Sequence, residues 1–235
     1  GMILEDLGED EVMKYVGVEP TGETFNSIVK LDSSNRAHNP MVNAGAIYIA
    51  DMVRGDNPEA RLKAVHDMFE GYLGHKPESD MAVFTSEKKT AYRNKAIAHM
   101  LLGQDRSDDE VYEALDLYFQ QCCIKVTAKD LAMMGATLAN KGVNPLTGGH
   151  ALAPQYARHV LSVMLTCGLY DYSGEWVFDV GLPAKSSVSG GTLVAIPGVG
   201  GLGIFSPALD SFGNSVRGIK VCEDFSAELG LHIFD

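Results

Sequence analysis

The 235-residue sequence predicts a helix-rich α+β fold, and three observations predict it. Segments with apolar residues at helical spacing, most of them marked by a cap, occupy the chain up to Cys167. Two short apolar runs, 192–197 and 202–206, then read as buried strands joined through a glycine-rich turn at 198–201. A last helical pattern over 215–231, with Val216, Ile219, Val221, Phe225 and Leu229, closes the chain.

Taken in order, residues 3–8 form a helix that stops at Gly8, and 9–16 form another before a turn at 19–22. The stretch 37–46 is a loop feeding a helix. Asn39 before Pro40 is extended, small residues after Asn43 allow close packing, and Asn43 is suited to cap that helix. Residues 58–73 place Leu62, Val65, Met68, Phe69, Tyr72 and Leu73 on one helical face. Residues 86–102 read as a single helix capped by Ser86, with Ala91, Asn94, Ile97 and Leu101 in line. Ser107 and Glu110 form a capping box opening a helix through Tyr118 to Cys122. Thr127 caps the next helix, Asn140-Lys141-Gly142 stops it, and Pro154 takes the first position of one reaching Cys167. No linker, repeat or low-complexity segment interrupts this order, so the expectation is one domain over 1–235.

Composition narrows the class. The chain is 46% hydrophobic and 21% charged, ordinary for a globular protein with an ample core. A net charge of −12 with scattered acidic residues argues against nucleic acid, which needs clustered Lys and Arg. No apolar stretch approaches a membrane span, and no basic-then-apolar leader opens the sequence. Cys122, Cys123, Cys167 and Cys222 lack C-x-x-C spacing, which fits reduced, buried thiols and a cytoplasmic location. The seven histidines show no paired spacing, so neither a metal nor another cofactor is expected.

The chemistry concentrates where the helices give way to strands. Tyr170 ends a helical segment, and Lys185-Ser186 follows at the mouth of a strand, with small residues after it. A phenol near a cation, beside backbone N–H groups that no bulky side chain covers, suits acyl transfer. Spacing alone favours a plainer reading, a strand entered through a tight turn with Lys185 solvated. Gly181-x-x-x-Lys185-Ser186 is not a phosphate loop, because the glycine before the lysine is missing and a strand follows. Ser-x-x-Lys, the nucleophile pattern of penicillin-binding enzymes, occurs at Ser27–Lys30 and Ser86–Lys89, neither in a context that suits a nucleophile. Glu87 and Asn94, seven residues apart, would share a helix face and could bind an ammonium and a carboxylate, although from spacing alone a solvated face is the better reading.

These stretches, in this order, resemble the serine-dependent glutaminases. The blocks that carry the resemblance are His38-Asn39-Pro40-Met41-Val42-Asn43-Ala44-Gly45-Ala46-Ile47, Ser86-Glu87 with Arg93-Asn94, Tyr118-Phe119-Gln120 and Leu138-Ala139-Asn140. They continue with Cys167-Gly168-Leu169-Tyr170-Asp171, Gly181-Leu182-Pro183-Ala184-Lys185-Ser186 and Gly213-Asn214-Ser215-Val216. The resemblance implies a β-lactamase/transpeptidase-like fold with an antiparallel sheet, and hydrolysis of L-glutamine to L-glutamate and ammonia through an acyl-serine intermediate. By the same resemblance Glu87 holds the substrate ammonium, and Asn43, Asn94 and Tyr118 bind its carboxylate end. Tyr170 relays protons and contacts substrate, the Val188 backbone N–H helps form the oxyanion hole, and subunits associate as dimers or tetramers without a cofactor.

Two departures qualify it. Ser187 stands where the family usually has glycine, which would crowd the oxyanion site if that position needs a positive φ. The family's Ser-x-x-Lys nucleophile would fall before Gly1, so the expectation is a fold lacking its N-terminal part and inactive by itself. The runner-up is a non-catalytic glutamine- or glutamate-binding module, or an assembly partner of intact subunits.

Overall fold

Local capping chemistry sets several helix starts in the computed structural model, which describes residues 1–23, 27–28, 31–103 and 105–235. Val29 and Lys30, and with them half of the first Ser-x-x-Lys match, lie outside the described residues. The chain divides into two units, one of Met2–Glu70 with His75–Lys125, the other of Gly1, Gly71–Gly74 and Val126–Asp235.

The first unit opens with two short helices, α1 (Met2–Leu7) and α2 (Glu9–Val12), separated at Gly8. α3 (Asn43–Asp51) and α4 (Pro58–Leu73, whose end belongs to the second unit) follow. Strand β1 (Glu78–Ser79) precedes α5 (Met81–Thr90), α6 (Tyr92–Leu102) and α7 (Asp108–Cys122), and β2 (Ile124–Lys125) pairs antiparallel with β1. Ile47, Ile97, Leu115 and Phe119 centre one apolar cluster, and Ile3, Val12, Val53, Val65 and Leu117 a second.

Two local expectations need correction here. The helix expected over 86–102 is two helices, broken at Ala91 (φ −77°, ψ 53°) and begun at Asp80, whose carboxylate accepts from the N–H groups of Ala82 and Val83. Ser86 therefore lies inside α5 and caps nothing. No residue near Ala91 breaks a helix by its own propensity. Both segments pack on α7, and beyond the break α6 packs on α3 as well. The second correction concerns Asn43, which is the first helical residue of α3, the cap position being held by extended Val42.

The second unit comprises α8 (Ala128–Ala139), α9 (Pro154–Cys167), a 3-10 turn (Tyr170–Tyr172) and α10 (Ser173–Asp179). Strands β3 (Ala184–Ser186), β4 (Gly191–Ile196) and β5 (Gly200–Phe205) come next, and α11 (Val216–Leu229) closes it. The strands form one antiparallel sheet in the order β3-β4-β5, so Lys185 and Ser186 belong to a strand of their own rather than to the mouth of β4. Helix α8 lies directly on β4 and β5. A Cβ on Gly201 would sit 2.1 Å from the Ala132 carbonyl oxygen, so the missing side chain is what lets helix and sheet approach so closely. Trp176 fills the core beside Val180, Leu182, Val194 and Cys222, and its indole N–H donates to the Leu182 carbonyl at 2.6 Å.

The expected α+β class, helix-rich with antiparallel sheets, is what the chain adopts. All four cysteines are free, and Cys122 is exposed rather than buried. No described helix is long and apolar enough to cross a membrane.

Candidate functional site

In the first unit the approach to α3 is fixed by Asn39, almost wholly buried. Its amide donates to the Glu19 carbonyl at 2.8 Å, and its side-chain oxygen accepts the Met41 N–H at 2.9 Å. This Asx turn delivers Asn43 to the start of α3. There the Asn43 Nδ2 donates to Oδ1 of Asn94, in the first turn of α6, at 2.7 Å. The bond uses one donor and one acceptor, leaving three side-chain N–H bonds that no other described residue accepts. Such a cluster of amide donors suits a carboxylate.

Glu87 projects from α5, exposed, and not from the helix that carries Asn94. The expected shared helix face is therefore not formed. The Glu87 charge instead reaches the end of α7, where it helps to raise the thiol pKa of both Cys122 and Cys123. Tyr118, one turn before Cys122 and buried, hydrogen-bonds the Cys122 side chain. Although Cys122 as a residue is exposed, desolvation around its sulfur, at the junction of α5 and α7, is the main cause of its raised pKa, about 11, which keeps the thiol protonated near neutral pH. Glu87 and Tyr118 thus share Cys122 as a neighbour. The Lys88–Asp116 ion pair pins α5 to α7 at the same junction.

In the second unit Tyr170 is one of three non-glycine residues with positive φ among the described residues, at 58°. Ser173 enforces it: the buried hydroxyl donates to the Tyr170 carbonyl at 2.9 Å and accepts the Leu169 N–H at 3.0 Å. So held, the phenol reaches β3 and donates to the Ser186 carbonyl at 3.3 Å. Burial raises its pKa, which keeps it protonated at neutral pH. Lys185 is not solvated as its sequence context suggested. Its Nζ lies 4.3 Å from the centre of the Tyr170 ring and also donates to the Ser186 carbonyl. Nothing in the sequence marked this lysine for burial.

Beyond β3 the chain turns sharply over Ser187, Val188, Ser189 and Gly190, with the Gly190 N–H bound to the Ser187 carbonyl at 2.9 Å. Ser187 does not have positive φ, so a side chain is accommodated there without backbone strain. Its hydroxyl accepts the Ser189 N–H at 3.2 Å. The Val188 N–H donates to no group among the described residues, and Val188 itself is about half exposed, at 48%. An N–H presented in this way can accept a developing negative charge.

The one Ser-x-x-Lys match that lies wholly within the described residues, Ser86 to Lys89, sits on the exposed surface of α5. A hollow of about 490 Å³ between α3 and α4 contains none of the expected site residues. Arg61 on its wall is engaged by the carbonyls of Ala50, Asp51 and Val53. Among the described residues no group of three or more His, Cys, Asp or Glu side chains could hold a metal ion.

Comparison with known proteins agrees with these blocks. A family model described as Glutaminase matches residues 1–234. The chain is 52% identical over 235 residues to a glutaminase of Nostoc, covering all of this chain and 70% of that protein. Among solved structures, a probable glutaminase of Bacillus subtilis superposes with a TM-score of 0.93 at 36% identity, covering 99% of this chain and 78% of that one. A structure of Mglu in its glutamate form gives 0.92 at 38% identity, over 100% and 54% of the two chains.

Proposed function

We propose that this chain, which belongs to the glutaminase family, carries substrate-binding and proton-handling residues of an enzyme hydrolysing L-glutamine to L-glutamate and ammonia. The β-lactamase/transpeptidase-like architecture and the single-domain character of residues 1–235 belong to the same reading. A serine attacks the side-chain amide carbon, its proton passing by way of Tyr170 to the departing ammonia, and water then cleaves the acyl-serine ester, its proton returning through Tyr170 to the serine. The Val188 N–H holds the oxyanion that forms at each step. Glu87 pairs with the substrate ammonium, while Asn43, Asn94 and Tyr118 take its carboxylate. Gripping both charged ends of a zwitterion fixes where its amide lies, which is the entropic part of the catalysis.

The observation that carries this reading is Tyr170, held in a left-handed conformation by Ser173 with its phenol directed at the strand that leads to the unpaired Val188 N–H. Conformational cost of this kind persists where surrounding structure maintains it, and it clusters at reactive sites. We further propose that the Ser-x-x-Lys nucleophile is supplied by sequence outside these 235 residues, which alone do not turn over glutamine. Incubating the purified chain with glutamine and measuring ammonia tests that part, family-like release being the contrary result. In the full-length enzyme, Tyr170→Phe should lower kcat by about 10²-fold or more with little change in KM, the size expected for loss of a positioned proton donor. A wild-type kcat in that variant would remove Tyr170 from the chemistry.

A further inference from the structure

One backbone carbonyl in the second unit, that of Ser186, serves two titratable side chains. The Tyr170 phenol donates to it from 3.3 Å, and the Lys185 amine donates to it while lying 4.3 Å above the centre of the same tyrosine ring. Lys185 is half-buried, and it forms no ion pair with any carboxylate among the described residues. On the facing strand its neighbours are Thr192, Leu193 and Val194, none of which titrates. Helix α9, which packs on β3, ends at the buried Cys167, and the ring that faces the amine is that of Tyr170. No charged side chain acts on Lys185, and burial alone pushes its pKa down to about 7. The amine therefore changes charge near neutral pH with the aromatic ring as its main polar contact besides one carbonyl.

We propose that Lys185 is a positioning residue for Tyr170: it shares the phenol's acceptor and covers its ring, so its charge governs how readily Tyr170 releases and recovers a proton. The inference rests on the relay role proposed above for Tyr170. As an ammonium, Lys185 is attracted to the ring face, competes for the Ser186 carbonyl and stabilises a phenolate nearby. As a neutral amine it loses the ring attraction and no longer favours the phenolate. The same tyrosine is thus a better acid below the lysine's titration than above it.

The test is a titration of this chain labelled with ¹³Cζ-tyrosine, the Tyr170 resonance being assigned with Tyr170→Phe. In the wild type, that resonance should show an early inflection near the lysine titration, well below the ordinary lysine value of 10.5, and then its own phenol step. Lys185→Arg, permanently charged, should abolish the early inflection and lower the phenol midpoint by about one pH unit, a tenfold easier ionisation. Lys185→Met should abolish the inflection without lowering the phenol step. An early inflection that survives in Lys185→Met, or a phenol step unmoved in a folded Lys185→Arg, overturns the proposal. These outcomes are separate from the fate of the relay itself, because unaltered turnover in the Tyr170→Phe enzyme would dismiss the relay while leaving the titration result in place.

Discussion

Asn43 and Asn94, 51 residues apart in the chain, are joined by one hydrogen bond of 2.7 Å between their side-chain amides. The bond ties the first residue of α3 to the first turn of α6 and orients the remaining N–H donors of both amides. Asn94→Asp keeps the acceptor that Asn43 uses but places a negative charge where a substrate carboxylate is proposed to bind. The expected result is folding stability within about 1 kcal/mol of wild type, the usual net worth of one hydrogen bond. In the full-length enzyme, KM for glutamine should rise at least about tenfold, equivalent to 1.4 kcal/mol of lost binding. An unchanged KM in steady-state kinetics would take this amide pair out of substrate recognition.

Lys185 also makes stability depend on pH. Its folded-state pKa is depressed to about 7 from an ordinary 10.5, so between those values the unfolded chain binds the extra proton. The contribution to stability therefore rises with pH across that window, and the full cost of burying the charge is present below about 7. Lys185→Met should raise the urea midpoint at pH 6.5, with the gain shrinking as pH approaches 10. A gain that is equal at both ends would mean the effect is packing and not charge.

Ser187, where the resemblance leads one to expect glycine, organises its own turn. The hydroxyl accepts the Ser189 N–H at 3.2 Å and meets the Ser189 hydroxyl at 2.9 Å. Replacing it by glycine adds backbone freedom to the unfolded chain and removes that bond, for a loss of roughly 0.5–1 kcal/mol. Hydrogen exchange at the Val188 and Ser189 amides should accelerate in Ser187→Gly. Slower exchange there would show that the serine strains the turn instead of holding it.

Two glycines three ångströms of rise apart on β5 make a matched pair for the helix–sheet contact (about one strand residue). A Cβ at Gly201 would lie 2.1 Å from the Ala132 oxygen and 2.3 Å from the Ala136 nitrogen, whereas one at Gly200 meets nothing within 4 Å. Gly201→Ala should cost about 1–3 kcal/mol as α8 is pushed from the sheet, and Gly200→Ala close to nothing. Thermal denaturation of the two variants reads the difference directly, and equal midpoints would contradict the close approach.

How far the sequence revealed this can be seen residue by residue. Ser107 and Thr127 each announced a helix start correctly, because a cap is a local matter between a side chain and N–H groups two or three residues on, and Pro154 did so because its fixed φ suits the first helical position. The break at Ala91 was invisible, since alanine favours helix and what distinguishes the two segments is the packing of α6 on α3 in addition to α7. Strands β1 and β2 are two residues each, too short for any alternation to register. The expected site residues Asn43, Glu87, Asn94, Tyr118, Tyr170 and Val188 were nominated through the resemblance of ordered sequence blocks, not through periodicity. Lys185 was read as solvent-facing, and only the fold shows the ring and carbonyl that bury it.

Trp176 is the chain's one tryptophan, fully enclosed and bonded through its indole to Leu182. Its fluorescence consequently watches the second unit from the inside. Loss of α10 from its core cluster would wet the indole and shift its emission to the red, while melting of the first unit with the second intact would leave the emission unchanged. Paired with circular dichroism, which sums all helices, that single fluorophore distinguishes unfolding of the second unit from unfolding of the first.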